Sequence, residues 1–167
     1  TREGLSLYNH YKDEFSNYYY KRNGLNVAVT SIIPIKKDWL MLGTAEGILL
    51  FDVKKECFLS DTLSSSLHGL QPAALVRQGD CIYIGTEEGV YIYTLSNGIL
   101  EKLVDVPTGI RVHTILCQMF NRIWLATEGD GLYLYDMKTK ELKNYRYEDG
   151  KSGLNSNYVR SLALDTE

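Results

Sequence analysis

An all-β fold assembled from a short repeat is what this sequence predicts. Three observations predict it: 13 Tyr and 14 Gly against 3 Pro in 167 residues, one short phrase that recurs four times, and two further phrases that keep step with it. Aromatic side chains suit a pleated surface, and glycine supplies the positive φ of tight turns. The recurring phrase reads Gly4-Leu5-Ser6-Leu7-Tyr8-Asn9, Gly47-Ile48-Leu49-Leu50-Phe51-Asp52, Gly89-Val90-Tyr91-Ile92-Tyr93-Thr94 and Gly131-Leu132-Tyr133-Leu134-Tyr135-Asp136, with glycines 43, 42 and 42 residues apart. Seven residues after each aromatic stands another apolar position, Phe15, Phe58, Leu100 or Leu142.

The second phrase lies upstream of three copies: Leu40-Met41-Leu42-Gly43-Thr44, Ile82-Tyr83-Ile84-Gly85-Thr86 and Ile123-Trp124-Leu125-Ala126-Thr127. Each is a short strand running into a tight turn. The third is an extended apolar segment behind a Gly-containing loop, as in Gly24-Leu25 before Val29-Thr30-Ser31-Ile32, Gly69-Leu70 before Ala74-Leu75-Val76, Gly109-Ile110 before Val112-His113-Thr114-Ile115, and Gly153-Leu154 before Val159-Arg160-Ser161-Leu162. A unit of about 42 residues with four short strands, unable to bury both faces alone, is the signature of a β-propeller blade.

With the strands named A to D from the axis outward, the chain reads C-D, then A-B-C-D three times, then A. The expectation is a single incomplete β-propeller over residues 1–167. Residues 1–23 hold strands C and D, residues 24–63, 64–104 and 105–147 hold three complete four-stranded blades, and residues 148–167 hold a loop and strand A of the next. No strand B joins the two ends, and closed rings hold roughly 4–8 blades, so the ring does not close and the reading is a fragment of a longer propeller. Its partners are then the other blades of the parent chain, and its open blade edges predict self-association.

Composition narrows the function classes. No apolar run approaches the ~20 residues of a membrane span, so no membrane contact is expected within this stretch. With 18 Lys+Arg against 21 Asp+Glu the net charge is -3, which lacks the basic stripe a nucleic acid requires. Cys57, Cys81 and Cys117 form no CxxC pair and are odd in number, so no zinc site, disulfide framework or cofactor is indicated, and each reads as a small buried residue. The chain begins at Thr1 without a leader, and localisation is not legible there.

The fourth unit, from Ile123-Trp124-Leu125-Ala126-Thr127-Glu128-Gly129-Asp130-Gly131-Leu132-Tyr133-Leu134-Tyr135-Asp136 through Leu142, Tyr145 and Gly153-Leu154-Asn155-Ser156-Asn157-Tyr158-Val159-Arg160-Ser161-Leu162, closely resembles the two-component regulator propeller repeat. The resemblance spans nearly the whole chain and departs from the repeat at Cys81, at Thr94 and in the short loop before Val112. WD40 repeats do not fit, since no Gly-His and Trp-Asp pair recurs. The resemblance implies the periplasmic sensor region of a hybrid two-component system, with a histidine kinase elsewhere in the parent chain and oligosaccharides as ligands.

In this strand order the B-to-C turns and D-to-A loops share one face. The turns carry Glu46, Glu87, Glu88, Glu128 and Asp130, which read either as a ring accepting hydrogen bonds from sugar hydroxyls or as solvated turn residues. The loops bring Asn26, His68, Arg111, His113, Asn157, Tyr158 and Arg160, where planar groups and donors suit a carbohydrate or uronic acid. The bland alternative is that the asparagines shape their loop and Arg160 pairs with a neighbouring blade. No catalytic residue and no metal ligand is assigned. Two rivals stay open: a propeller lyase or glycan-active enzyme using His68 and His113, and a protein-interaction scaffold. Trp39 and Trp124 read as core, and alternation along Tyr18-Tyr19-Tyr20 sends the outer pair to one face.

Overall fold

The computed structural model describes residues 3–59, 67, 69–103, 107, 109–150 and 153–165. The chain divides into two compact units, Thr1–Pro72 and Ala73–Glu167. All regular structure described is β apart from one 3-10 turn, Met119–Asn121, and no helix there is long and apolar enough to cross a membrane.

In the first unit, β1 (Leu5–Asn9) and β2 (Glu14–Tyr18) form a hairpin, and β3 (Lys21–Arg22) and β4 (Leu25–Asn26) form a smaller one. Then β5 (Val29–Lys36), β6 (Trp39–Thr44), β7 (Gly47–Asp52) and β8 (Cys57–Leu59) make a four-stranded antiparallel meander. Leu5, Val29, Leu42 and Phe51 form its core with Tyr18 and Phe58 packed against them. The tyrosine run divides as alternation requires: Tyr18 lies 4.9 Å from Phe51 and Tyr20 5.3 Å from Phe58, ring to ring, while Tyr19 is 51% exposed.

The second unit repeats the meander twice, as β9 (Ala74–Gln78), β10 (Cys81–Thr86), β11 (Gly89–Thr94) and β12 (Leu100–Lys102), then β13 (Val112–Gln118), β14 (Arg122–Thr127), β15 (Leu132–Asp136) and β16 (Leu142–Tyr145). The predicted A-B-C-D order is thus the order of each sheet. β13 packs on β9 and β10, and Tyr83, Val90, Val112, Ile115, Ile123, Leu125, Tyr133 and Tyr135 close a common core. Each such side chain contributes about 1.5–3 kcal/mol relative to exposure.

The repeated threonine and glycine are one device. Thr44, Thr86 and Thr127 are buried, and their hydroxyls donate to the carbonyl oxygens of Gly47, Gly89 and Gly131 at 2.7, 3.0 and 2.7 Å. The hydroxyls of Thr44 and Thr86 also accept from the backbone N–H of Glu46 and Glu88. The glycine is obligatory because Gly4, Gly47, Gly89 and Gly131 all have φ between 80 and 127°. A Cβ at Gly4 or Gly131 would also run into the carbonyl oxygen of Tyr18 or Tyr145. At the C-to-D turns, the Asp52 carboxylate takes the N–H of Lys55 and that of Asp136 takes Lys138 and Thr139. Those two backbone donors hold the Asp136 carboxyl below its ordinary value. Thr94 cannot do this, and there the Asn97 amide oxygen accepts from Ile99 instead.

Three expectations are corrected. Residues 148–167 hold no strand among the described residues: Tyr158 makes an isolated bridge to Glu128 and Val159 N–H donates to the Thr127 carbonyl at 3.0 Å, contacts too few to make a ladder. Trp39 and Trp124 are half-buried and not core: Lys36 Nζ sits 4.4 Å over the Trp39 ring, and Trp124 faces the side of its sheet away from the core. The three cysteines are free, but Cys57 is exposed and Cys81 and Cys117 are half-buried. Burial pushes the Cys117 thiol up to about 11.

Candidate functional site

The polar cluster at one end of the second unit is built by the start of β13. The backbone N–H of Glu128 donates to the Arg111 carbonyl at 3.0 Å, which extends the β13–β14 ladder one residue past the Val112–Thr127 pair. Arg111 is thereby set beside the β14–β15 turn. The register then slips between Val112 and Thr114, leaving His113 as a bulged residue, and a bulge re-aims a side chain.

Arg111 Nη1 lies 3.5 Å from Glu87 Oε1 and 3.6 Å from Glu128 Oε2, while His113 Nε2 lies 3.3 Å from the same Glu128 oxygen. One guanidinium therefore clasps carboxylates from the β10–β11 and β14–β15 turns. Arg111 and Glu128 are 46% and 43% exposed, so each pair is worth about 0.2–1 kcal/mol. The clasp orders the groups more than it stabilises the fold.

Tyr158 stands next to this cluster. It bridges to Glu128, and its ring passes 3.6 Å from where a Cβ of Gly129 would be. Tyr158 is 65% exposed. Asn157 is committed to holding this arrangement: its carbonyl accepts from Gly129 and Gly131 at 3.1 and 2.8 Å, and its amide oxygen accepts from the Tyr147 N–H at 2.7 Å. The Arg160 carbonyl accepts from the Thr114 hydroxyl at 2.9 Å, and the residue is exposed.

Asn26 lies in the first unit on β4, opposite Lys21. His68 lies outside the described residues. Each of the turn carboxylates has a polar partner. Glu46 meets Arg22 at 3.4 Å, Asp130 meets Arg146 at 2.9 Å, and Glu88 accepts from the Tyr91 hydroxyl at 3.1 Å. Asp130 also accepts from the Tyr133 hydroxyl, and burial first, then that bond, pushes the Tyr133 phenol up to about 12. Among the described residues no group of three His, Cys, Asp or Glu could hold a metal ion.

Two features escaped the sequence. The Asn23-Gly24 pair, with φ of 51 and 80°, closes the β3–β4 hairpin, and Asn-Gly is itself a hairpin signal. A groove also runs over Trp124 and Leu132. It comprises cavities of about 430 and 350 Å³, the first lined also by Asn144, Tyr145 and Arg146, the second by Leu116, Gln118 and Leu162.

No family model and no curated protein matches the chain. Its fold is shared with solved structures. The extracellular domain of BT4673 from B. thetaiotaomicron, described both as a one-component and as a hybrid two-component system, superposes with a TM-score of 0.80 at 23% identity. That match covers 99% of this chain and 23% of the other. The type-IX secretion component PorZ of Porphyromonas gingivalis superposes with a TM-score of 0.69 at 20% identity, over 98% of this chain and 27% of PorZ. The extracellular domain of BT3049, a hybrid two-component system of B. thetaiotaomicron by its description, gives 0.58 at 20% identity, over 98% of this chain and 28% of that one. The chain thus spans about a quarter of the length of each.

Proposed function

We propose that the chain is part of a β-propeller, three complete blades and two partial ones, in the periplasmic sensor region of a two-component signalling protein. It recognises a ligand and does not catalyse. The observation that carries this reading is the shared fold with extracellular domains of two-component systems over nearly the whole chain, and the repeat read from the sequence supports it independently. Other blades of the parent protein are its intramolecular partners, and the open blade edges give self-association.

The ligand we assign is an oligosaccharide at the Arg111 cluster. Glu87 and Glu128 accept hydrogen bonds from hydroxyls, the guanidinium donates, and the exposed Tyr158 ring offers a stacking face to sugar C–H groups. The clasp holds these groups in place before a ligand arrives, which lowers the ordering cost of binding. Binding passes a signal only through differential affinity for two states of the parent protein. Calorimetric titration of the chain with a panel of neutral and uronate-containing oligosaccharides tests the assignment. Binding that Arg111→Ala and Tyr158→Ala each abolish is expected; binding indifferent to both, or turnover of a sugar that needs His113, overturns it.

The likeness to PorZ favours one second reading, an interaction scaffold without a small ligand. Its distinguishing result is no sugar binding at all together with capture of a defined protein at the same cluster.

A further inference from the structure

Arg111 already has two carboxylates for neighbours. Its Nη1 lies 3.5 Å from Glu87 Oε1 and 3.6 Å from Glu128 Oε2, and the same Glu128 oxygen lies 3.3 Å from His113 Nε2. The glutamates reach it from different turns, Glu87 between β10 and β11 and Glu128 between β14 and β15. Both turns and β13 belong to four-stranded meanders that this chain itself supplies. Of the other charged groups at this end, Glu88 accepts from the Tyr91 hydroxyl, Asp130 is paired with Arg146, and Arg160 is tied through its carbonyl to Thr114. With His113 unprotonated, one positive charge therefore stands between two negative ones.

Coulomb energy falls as the inverse of distance, so two like charges outweigh one opposite charge when both stand within twice its distance. A ligand carboxylate on Arg111 Nη1, at the 3.5 Å of Glu87 itself, would stand no farther than about twice that from either glutamate oxygen. Two oxygens cannot both lie directly opposite the newcomer, so the repulsion exceeds the attraction. A bidentate grip on a uronate, which arginine otherwise suits, is thus opposed by what surrounds this guanidinium. A hydroxyl brings no such charge. It accepts from the guanidinium while donating to a carboxylate, and Glu87, Arg111 and Glu128 present acceptor, donor and acceptor in turn, a pattern that suits neighbouring hydroxyls of one sugar ring.

We propose, resting on the sugar-binding reading of this cluster, that it selects uncharged sugar units over uronates and that Glu87 sets the selection. The Glu87 side chain is the more exposed of the pair, 64% against 43% for Glu128, and Glu128 is shared with His113. Removing the Glu87 charge therefore frees the guanidinium for a ligand carboxylate while the Glu128 contacts stay in place.

The test is calorimetric titration of the 167-residue chain at about pH 8, above the ordinary histidine range. The probes are neutral gluco-, manno- and galacto-oligosaccharides, each beside the same oligosaccharide after oxidation of its primary hydroxyls to carboxylates. A neutral sugar is expected to bind, and its oxidised counterpart to bind weaker by about fivefold or more at low salt. The gap should narrow at about 1 M salt, where the screening length falls to about 3 Å. It should narrow also in Glu87→Gln, while Glu87→Asp, which keeps the charge, preserves it. Oxidised sugars that bind as tightly as neutral ones, or a gap that Glu87→Gln leaves unchanged, overturn the selectivity and leave the sugar site standing. Binding of neither set overturns both.

Discussion

Gly131→Ala and Gly129→Ala form a matched pair that isolates one contact. Both glycines have positive φ, 80 and 95°, so alanine at either pays the left-handed penalty of about 1–2 kcal/mol. At Gly129 the new methyl meets only the Tyr158 ring at 3.6 Å, an ordinary contact. At Gly131 it meets the Tyr145 carbonyl oxygen, backbone that cannot swing away without opening the Leu132–Tyr145 end of the β15–β16 ladder. Overpacking of this kind adds about 1–3 kcal/mol, so Gly131→Ala is expected to cost about 2–5 kcal/mol in all. Thermal unfolding followed by Trp emission in a Trp39→Phe background reads the second unit through Trp124, and the difference between the two variants removes the shared φ cost. With about 2–4 °C in Tm per kcal/mol for a chain of this size, the pair should separate by several degrees. Equal destabilisation would refute the reasoning that the repeat keeps this glycine for steric room as well as for φ.

The remaining predictions are of similar reach. Thr86→Val should cost about 1–2 kcal/mol, because the Gly89 carbonyl loses its buried donor, while Thr86→Ser recovers most of it; chemical denaturation compares the two. Asp136 has a lowered folded pKa, so its contribution is present above the ordinary value of 3.8 and is lost as pH falls through the lower folded value. Wild type and Asp136→Asn should therefore differ in thermal stability at pH 6 and converge in strong acid, in a pH series of melts. Arg111→Gln should change stability by less than about 1 kcal/mol, since its ion pairs are half-exposed, while removing sugar binding. A thiol reagent at pH 8 should modify exposed Cys57 first and Cys117, with its thiol pushed up to about 11, slowly; peptide mapping by mass spectrometry orders the sites.

The strands were legible because period-2 alternation and a period of 42 agree at every level, down to Tyr18 and Tyr20 packing on one side while Tyr19 does not. Alternation separates the two faces of a strand but says nothing of which face another sheet covers: Ile123 and Leu125 lie in the core shared with the second sheet, while Trp124 on the other face is half-buried. Arg111 and the carboxylates were each singled out, yet their pairing depends on the ladder that brings Glu128 beside Arg111, which no local pattern displays. Asn157 is the converse case. An asparagine amide can satisfy a ligand or the backbone equally well, and the bond from the Tyr147 N–H to the Asn157 amide oxygen is one that no local pattern displays. The β3–β4 hairpin went unread for a different reason: its strands are two residues long, too short to show alternation around Asn23-Gly24.

The sensor assignment is tested most directly by the coding sequence on both sides of the codons for Thr1 and Glu167. The account predicts further copies of the Gly-to-aromatic repeat, followed by a membrane span and a kinase-like segment. A stop codon soon after Glu167, or a catalytic domain in place of the membrane span, would contradict it.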